Sequence, residues 1–224
     1  LSGCGSSQGA LSGKTPREIL ALALAAAKAE GTSHWGENIR WGGSYVHSRS
    51  HTGVGQGDQT IAGTLWGNGT ILVVSPRMAY GKGDAKFLES QLSLTAGQAT
   101  KYAEQWISVP SSSPSFESFV GGLTLSSVTW GITPVSPLSL TRTRTVDGQN
   151  VVGVSGWAPD FTKGEVIDTL YVATAAPNLP VELVQHGTAN GSAFAATDPF
   201  YGWGKPVSVT APAKAIALSS IKAP

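Results

Sequence analysis

The sequence predicts an α+β fold built as one domain, and three observations carry that prediction. A capping box with proline at the first helical position, Thr15-Pro16-Arg17-Glu18, opens a helix near the N-terminus. Strand patterns follow from residue 34 and are interrupted by one block of helix formers between residues 85 and 125. The hairpin signal Asp147-Gly148 then opens a second run of strands. Apolar residues make up 41% of the 224 residues, enough for a sizeable core. Charged residues are only 13%, roughly half the usual share of about 25%. The net charge of +1 argues against a dedicated nucleic-acid binder, which normally carries a clear basic excess. The 28 glycines and seven tryptophans lean towards many short strands and turns. A single cysteine excludes an intrachain disulfide and a multi-thiolate zinc site.

Taken in order, the first helix carries Ile19, Leu20, Ala23, Leu24 and Ala27 on one face and stops at Gly31. Trp35, Glu37, Ile39 and Trp41 share one face of a strand. The glycine-rich stretch Gly53 to Gly57 precedes a second strand around Thr60 to Trp66, and Gly67-Asn68-Gly69 is a turn. Ile71-Leu72-Val73-Val74 is continuously apolar and predicts a strand covered on both faces. Met78 to Tyr80 is a short strand closed by Gly81-Lys82-Gly83-Asp84. Helices are expected over Ala85 to Leu92 and Thr95 to Trp106, and a third, short one around Phe116 to Leu125 beyond the break at Ser111-Ser112-Ser113-Pro114. Thr141 to Val154 forms the hairpin, and Glu165 to Thr174 and Val181 to His186 are strands linked by a Pro-rich turn. Short strands near Ser192 to Ala196 and Pro206 to Val209 close the domain, and Ala211-Pro212-Ala213-Lys214 leads into a tail. No internal repeat or composition shift marks a second domain, so residues 15–224 read as one unit behind a tether over 1–14.

Leu1-Ser2-Gly3-Cys4-Gly5 resembles the lipobox of bacterial lipoproteins, an aliphatic residue and two small ones before a cysteine. It is followed by a flexible Gly/Ser/Gln tract and holds the only cysteine. In that family the thiol accepts a diacylglyceryl group, so the resemblance makes Cys4 the expected lipidation site and the chain a lipid-anchored, extracytoplasmic protein. The chain is read as starting inside a signal peptide. The longest apolar stretch elsewhere, Ile19 to Ala27, is far short of the roughly 20 residues that span a bilayer.

The order of further short motifs resembles the LppX/LprG-type lipoproteins of mycobacteria and their actinobacterial relatives, which share the LolA/LolB-like fold. The matching pieces after the lipobox are the helix opening Thr15 to Leu20, Tyr80-Gly81-Lys82-Gly83-Asp84, and a helical insert ending in Gln105-Trp106-Ile107-Ser108-Val109-Pro110. They continue with Val146-Asp147-Gly148-Gln149-Asn150-Val151-Val152, with Leu170-Tyr171-Val172 before Leu179-Pro180-Val181, and with Val207 to Pro212. The resemblance implies a strongly curved antiparallel β-sheet, a half-barrel, with helices packed on its concave face. It also implies an apolar cavity between the layers that takes acyl chains, a carrier role across the cell envelope and no enzymatic activity. The chain departs from the pattern in being rich in tryptophan and glycine over residues 34 to 70.

Candidate reactive constellations take ordinary readings. Gly13-Lys14-Thr15 lacks the earlier glycine of a phosphate loop, and Gly153-Val154-Ser155-Gly156 lacks the spacing of a nucleophile elbow. Ser219-Ser220-Ile221-Lys222 matches Ser-x-x-Lys only on the expected tail. His47 and His51 flank an expected bend with Arg49 between them, and no cysteine or nearby carboxylate completes a zinc set. The carboxylates are scattered singly apart from Glu165 and Asp168, whose spacing puts them on opposite faces of a strand, so no hydrolytic pair is visible. No metal and no cofactor are expected.

Two constellations fit ligand binding. Arg142 and Arg144, two apart on an expected strand, would meet a phosphate or acidic sugar headgroup if they stood at a cavity mouth; a solvated outer sheet face is the plainer alternative. The apolar set Phe87, Leu88, Leu92, Tyr102, Trp106, Phe116, Phe119 and Leu123, with Ile71 and Val73 on the sheet, would meet acyl chains or simply fill a core. The expected partners are a lipid or glycolipid ligand, the membrane through Cys4, and a membrane transporter, with a monomer as the expected state and no nucleic acid. The alternative is a membrane-anchored interaction module without a lipid cavity that docks on a transporter or sensor.

Overall fold

The computed structural model describes residues 11–162 and 165–222. The lipobox, Cys4 included, lies outside the described residues. The first helix, α1 (Pro16–Glu30), begins as the sequence predicts: Thr15 caps the amide of Glu18 while Glu18 reaches back to the Thr15 amide, and Gly31 closes the helix in the left-handed conformation. Its buried face is Ile19, Leu20, Ala23 and Ala27. Leu11 is buried in the same cluster, so packing extends N-terminal to the helix.

A meander follows: β1 (Ser33–Trp41), β2 (Ser44–Thr52), β3 (Gly57–Gly63), β4 (Gly69–Ser75) and β5 (Met78–Gly83). Helices α2 (Ala85–Leu92) and α3 (Ala96–Tyr102) precede β6 (Ile107–Pro110), and α4 (Phe116–Phe119) and α5 (Leu125–Gly131) follow it. The second run comprises β7 (Val135–Leu140), β8 (Arg144–Val146), β9 (Gln149–Trp157), β10 (Val166–Ala173), β11 (Pro180–Ala189) and β12 (Ser192–Pro199). A two-residue strand β13 (Ile216–Ala217) runs into α6 (Leu218–Lys222).

The strands form one 13-stranded sheet in the order β13-β6-β5-β4-β3-β2-β1-β12-β11-β10-β9-β7, with β8 paired to β9. The two meanders meet where β1 pairs antiparallel with β12. The pairings are antiparallel except for β13, which lies parallel to β6. The result is the expected curved, open half-barrel with helices on its concave face. Helices α2 and α4 cover the first meander, and α1 with α5 covers β9 to β11. No helix among the described residues is long and apolar enough to cross a membrane.

Several local expectations are corrected. His47, Arg49 and His51 do not flank a bend; they lie within β2, and the bend is Gly42-Gly43, both at positive φ. The strand of Ile71 to Val74 is buried on one face only, with Leu72 and Val74 half-buried on the other. Gly81 and Gly83 do not close β5 but belong to it, where they make room for aromatic rings. A Cβ on Gly83 would stand 2.6 Å from the Phe87 ring, and one on Gly81 would stand 2.6 Å from the ring of Phe119.

The expected third helix is divided into α4 and α5 by Gly121-Gly122, with Gly122 at positive φ. Thr141 to Thr143 stand outside any strand, so the hairpin begins at Arg144. Asp147 and Gly148 both take positive φ, as its tight turn requires. Pro206 to Val209 is not a strand. The expected tail instead returns to the sheet as β13 and buries Leu218 and Ile221 in the core.

Candidate ligand-binding site

The core is divided into two clusters. One gathers Ile71, Val73, Phe87, Leu88, Leu92, Phe116, Phe119 and Leu123 under α2 and α4. The other gathers Ile19, Leu20, Val128, Ile132, Leu170 and Leu183 with Trp35 and Phe200 under α1 and α5. At the seam between them lies a cavity of about 390 Å3, bounded by α4 and α5 above and by β1, β3, β4, β11 and β12 below. Its apolar wall includes Trp35, Ile61, Trp66, Ile71, Phe119, Leu183 and Phe200, and Trp130 of α5 stands beside it, 58% exposed. Trp35 is fixed by an indole N–H donated to Thr52 Oγ1 at 3.1 Å and by the Phe200 ring, 6.3 Å away between centroids.

The floor is polar. Alternation places Glu37 on the face of β1 that carries Trp35 and Ile39, and Asp198 on the face of β12 that carries Ala196 and Phe200. Because the pairing of β1 with β12 runs Asn38 to Thr197 and continues at Trp35 to Phe200, Glu37 and Asp198 face each other across neighbouring strands. On one side the polar line continues: Ser48 donates to Glu37 at 3.4 Å, and Gln59 donates to Ser48 and to Ser50 at 3.4 and 3.0 Å. On the other, Gln185 donates to Asp168 at 2.8 Å. A polar stripe thus crosses the concave face from β3 to β10, and Glu37, Gln59, Gln185, Asp198 and Asp160 border the cavity.

The surroundings of these carboxyls bias them towards the neutral form. Burial pushes Glu37 up to about 7 against a hydrogen bond from Ser48, and it pushes Asp168 up to about 7 as well. Asp198 is raised well above the ordinary carboxylate range, first by burial and then by the neighbouring acids Glu37, Asp168 and Glu182. Burial raises Asp160 too. Asp198 is 6% exposed, and its Oδ1 has no hydrogen-bond partner.

Of the residues singled out from sequence, Ile71 and Phe119 border this cavity. Val73, Phe87, Leu88, Leu92, Phe116 and Leu123 are buried in the adjoining core cluster, and Tyr102 packs half-buried against it. Trp106 is half-buried just before β6. Arg142 is exposed off the sheet. Arg144 pairs with Glu182 and lies 3.6 Å over the Tyr171 ring, beside an open groove of about 880 Å3 that also takes in Lys14. The arginines are therefore not brought to the cavity between helices and sheet, whose lining among the described residues contains no Lys, Arg or His. Sequence reading missed the polar floor because Glu37 and Asp198 are 161 positions apart and meet only through the β1–β12 pairing; the one signal was a carboxylate in an otherwise apolar alternation. Among the described residues no cluster of three His, Cys, Asp or Glu could hold a metal ion.

The architecture is thus that of a curved sheet roofed by helices over a partly enclosed cavity. The chain is similar to LprF from Mycobacterium bovis, with a TM-score of 0.53 at 16% identity over 89% of this chain and 97% of that one. This likeness shows a shared fold. Weaker likenesses include an uncharacterized conserved protein from Thermus thermophilus, with a TM-score of 0.45 at 10% identity over 91% of this chain and 98% of that one. A LolA superfamily protein from Nitrosomonas europaea gives 0.32 at 10% identity over 84% and 92%. No family model and no curated protein matches the sequence.

Proposed function

We propose that the protein is an extracytoplasmic carrier, tethered to the membrane through a lipid on Cys4, that shields the apolar part of a lipid or glycolipid between its helices and its sheet. The observation that carries this reading is the cavity at the helix–sheet seam, walled by Ile71, Phe119, Trp35, Trp66 and Phe200. Its volume of about 390 Å3 lies near the lower end of the roughly 300–1,000 Å3 of small-molecule sites. It has room for a single chain, and a diacyl lipid requires the short α4 and α5 to move away from the sheet. Apolar burial at about 25 cal/mol per Å2 would hold the chain, and exchange with a membrane would follow that movement.

The test is to incubate the chain with phospholipid vesicles, re-isolate it and weigh it by native mass spectrometry. A bound lipid is expected, and Ile61→Trp, which fills the cavity from β3, should diminish it. Recovery of lipid-free protein under all conditions would overturn the reading. It would favour the second one, an interaction module docking on a transporter or sensor partner. The observation behind that alternative is the exposure of Trp130 (58%) and Val54 (80%) near the bridge that joins Gly53 to Thr124.

A further inference from the structure

We infer that the floor of the cavity, where Glu37 faces Asp198, selects ligands that carry a positively charged organic group, an alkyl ammonium. The inference rests on the ligand-carrying reading above and adds the chemistry of the head. Four features of the site converge on it. Glu37, Asp198 and Asp160 border the cavity, and among the described residues no basic side chain does, so an anionic head would find no counter-charge there. Asp198 is nine-tenths buried, and its Oδ1 stands without a hydrogen-bond partner; a buried acceptor left this way is costly unless something else completes it. Trp35, Trp66 and Trp130 line the same space, and indole faces attract an ammonium at short range. Finally, the acids are not arranged as a metal site among the described residues, which turns the choice from an inorganic to an organic cation.

The surroundings bias the empty site towards its uncharged form. The acids that act on Asp198 are Glu37 from β1 and Asp168 from β10 on its own face of the sheet and, from the opposite face, Glu182 of β11, itself paired with Arg144. Burial, and then the neighbouring acids, bias Asp198 towards its protonated form in the empty protein. An ammonium beside it reverses the balance: the carboxyl O–H gives up its proton to buffer, and the carboxylate formed accepts a hydrogen bond from the ammonium. Binding is therefore coupled to proton release. A neutral sugar or a fatty acid would show no such coupling.

The experiment compares three probes of equal chain length, decylammonium chloride, decyl glucoside and sodium decanoate, by titration calorimetry below their micelle-forming concentrations. Buffers of different ionisation enthalpy count the protons released. Decylammonium is expected to bind more tightly than the other two by roughly tenfold or more, the size of one charge-assisted hydrogen bond, and to release protons at neutral pH. Asp198→Asn and Glu37→Gln, each close in shape and each removing a buried acid, should erase that preference and the proton release. Equal or tighter binding of the glucoside or the decanoate, or a preference that survives both substitutions, overturns the inference. If all three probes bind alike, ligand carriage stands and only the selection of charge fails. If none binds, the carrier reading fails with it. The ranking on the unmodified chain decides the matter even if a variant does not fold.

Discussion

Gln185 donates its side-chain amide to Asp168 Oδ1 at 2.8 Å, leaving the second carboxyl oxygen of a fully buried aspartate without a partner. Gln185 borders the ligand cavity, and Asp168 stands one strand further from it, so the pair ties the polar floor to the interior of β10.

A pH dependence follows. The folded-state pKa of Asp168, about 7, lies above its ordinary value of 3.8, so the folded chain binds more protons than the unfolded chain between those limits. The stabilisation is fully present below the unfolded pKa and is lost as pH rises through about 7; Glu37 and Asp198 act in the same direction. Urea denaturation should therefore show higher stability at about pH 5 than at about pH 8, by a few kcal/mol at most. Asp168→Asn should flatten that slope. A stability maximum above neutrality would contradict the buried-acid account.

Gly83 and Gly97 form a contrasting pair. A Cβ on Gly83 would stand 2.4 Å from the backbone oxygen of Asn68 and 2.6 Å from the Phe87 ring, whereas one on Gly97, in α3, meets nothing within 4 Å. Gly83→Ala should destabilise by about 1–3 kcal/mol through overpacking. Gly97→Ala should stabilise by about 0.5–1 kcal/mol through a less flexible unfolded chain. Thermal melts of the two variants read both signs at once.

The C-terminal segment is structural. Leu218 is 3% exposed and Ile221 5%, and Gln98 of α3 donates to the Ile221 carbonyl at 2.8 Å. Leu218→Ala should cost about 2–5 kcal/mol in chemical denaturation, the usual penalty of a core truncation. A surface-like effect would return the segment to the status of a tail.

Trp130 separates binding from folding. At 58% exposure it contributes little to the core, so Trp130→Ala should leave stability within about 0.5 kcal/mol of the unmodified chain. Because it also borders the cavity, the same substitution should weaken probe binding severalfold in the calorimetric assay.

Much of this was legible because it is local. Thr15 and Glu18 are three residues apart, so their reciprocal capping is visible in the sequence, and the same holds for Asp147-Gly148 and for the range of α2. Expectations failed where contacts between distant segments override a local pattern. Gly81 and Gly83 look like a turn, yet they are strand residues that admit Phe119 and Phe87. Residues 215–222 look like a tail, yet pairing with β6 holds them in the core. Likewise Arg144 looks free in a run of Arg and Thr, and only the fold brings Glu182 and Tyr171 to it.

By itself, then, the sequence determined the α+β class, the capped first helix, the second hairpin and the pool of apolar residues, since each depends on periodicity or on neighbours within a few positions. Only the tertiary structure decided which of those residues border open space and which fill the core. It also decided that a pair of acids meets on the cavity floor. The reason is geometric: a strand pairing between β1 and β12 joins the two halves of the chain, and no local pattern encodes a distance across 161 positions.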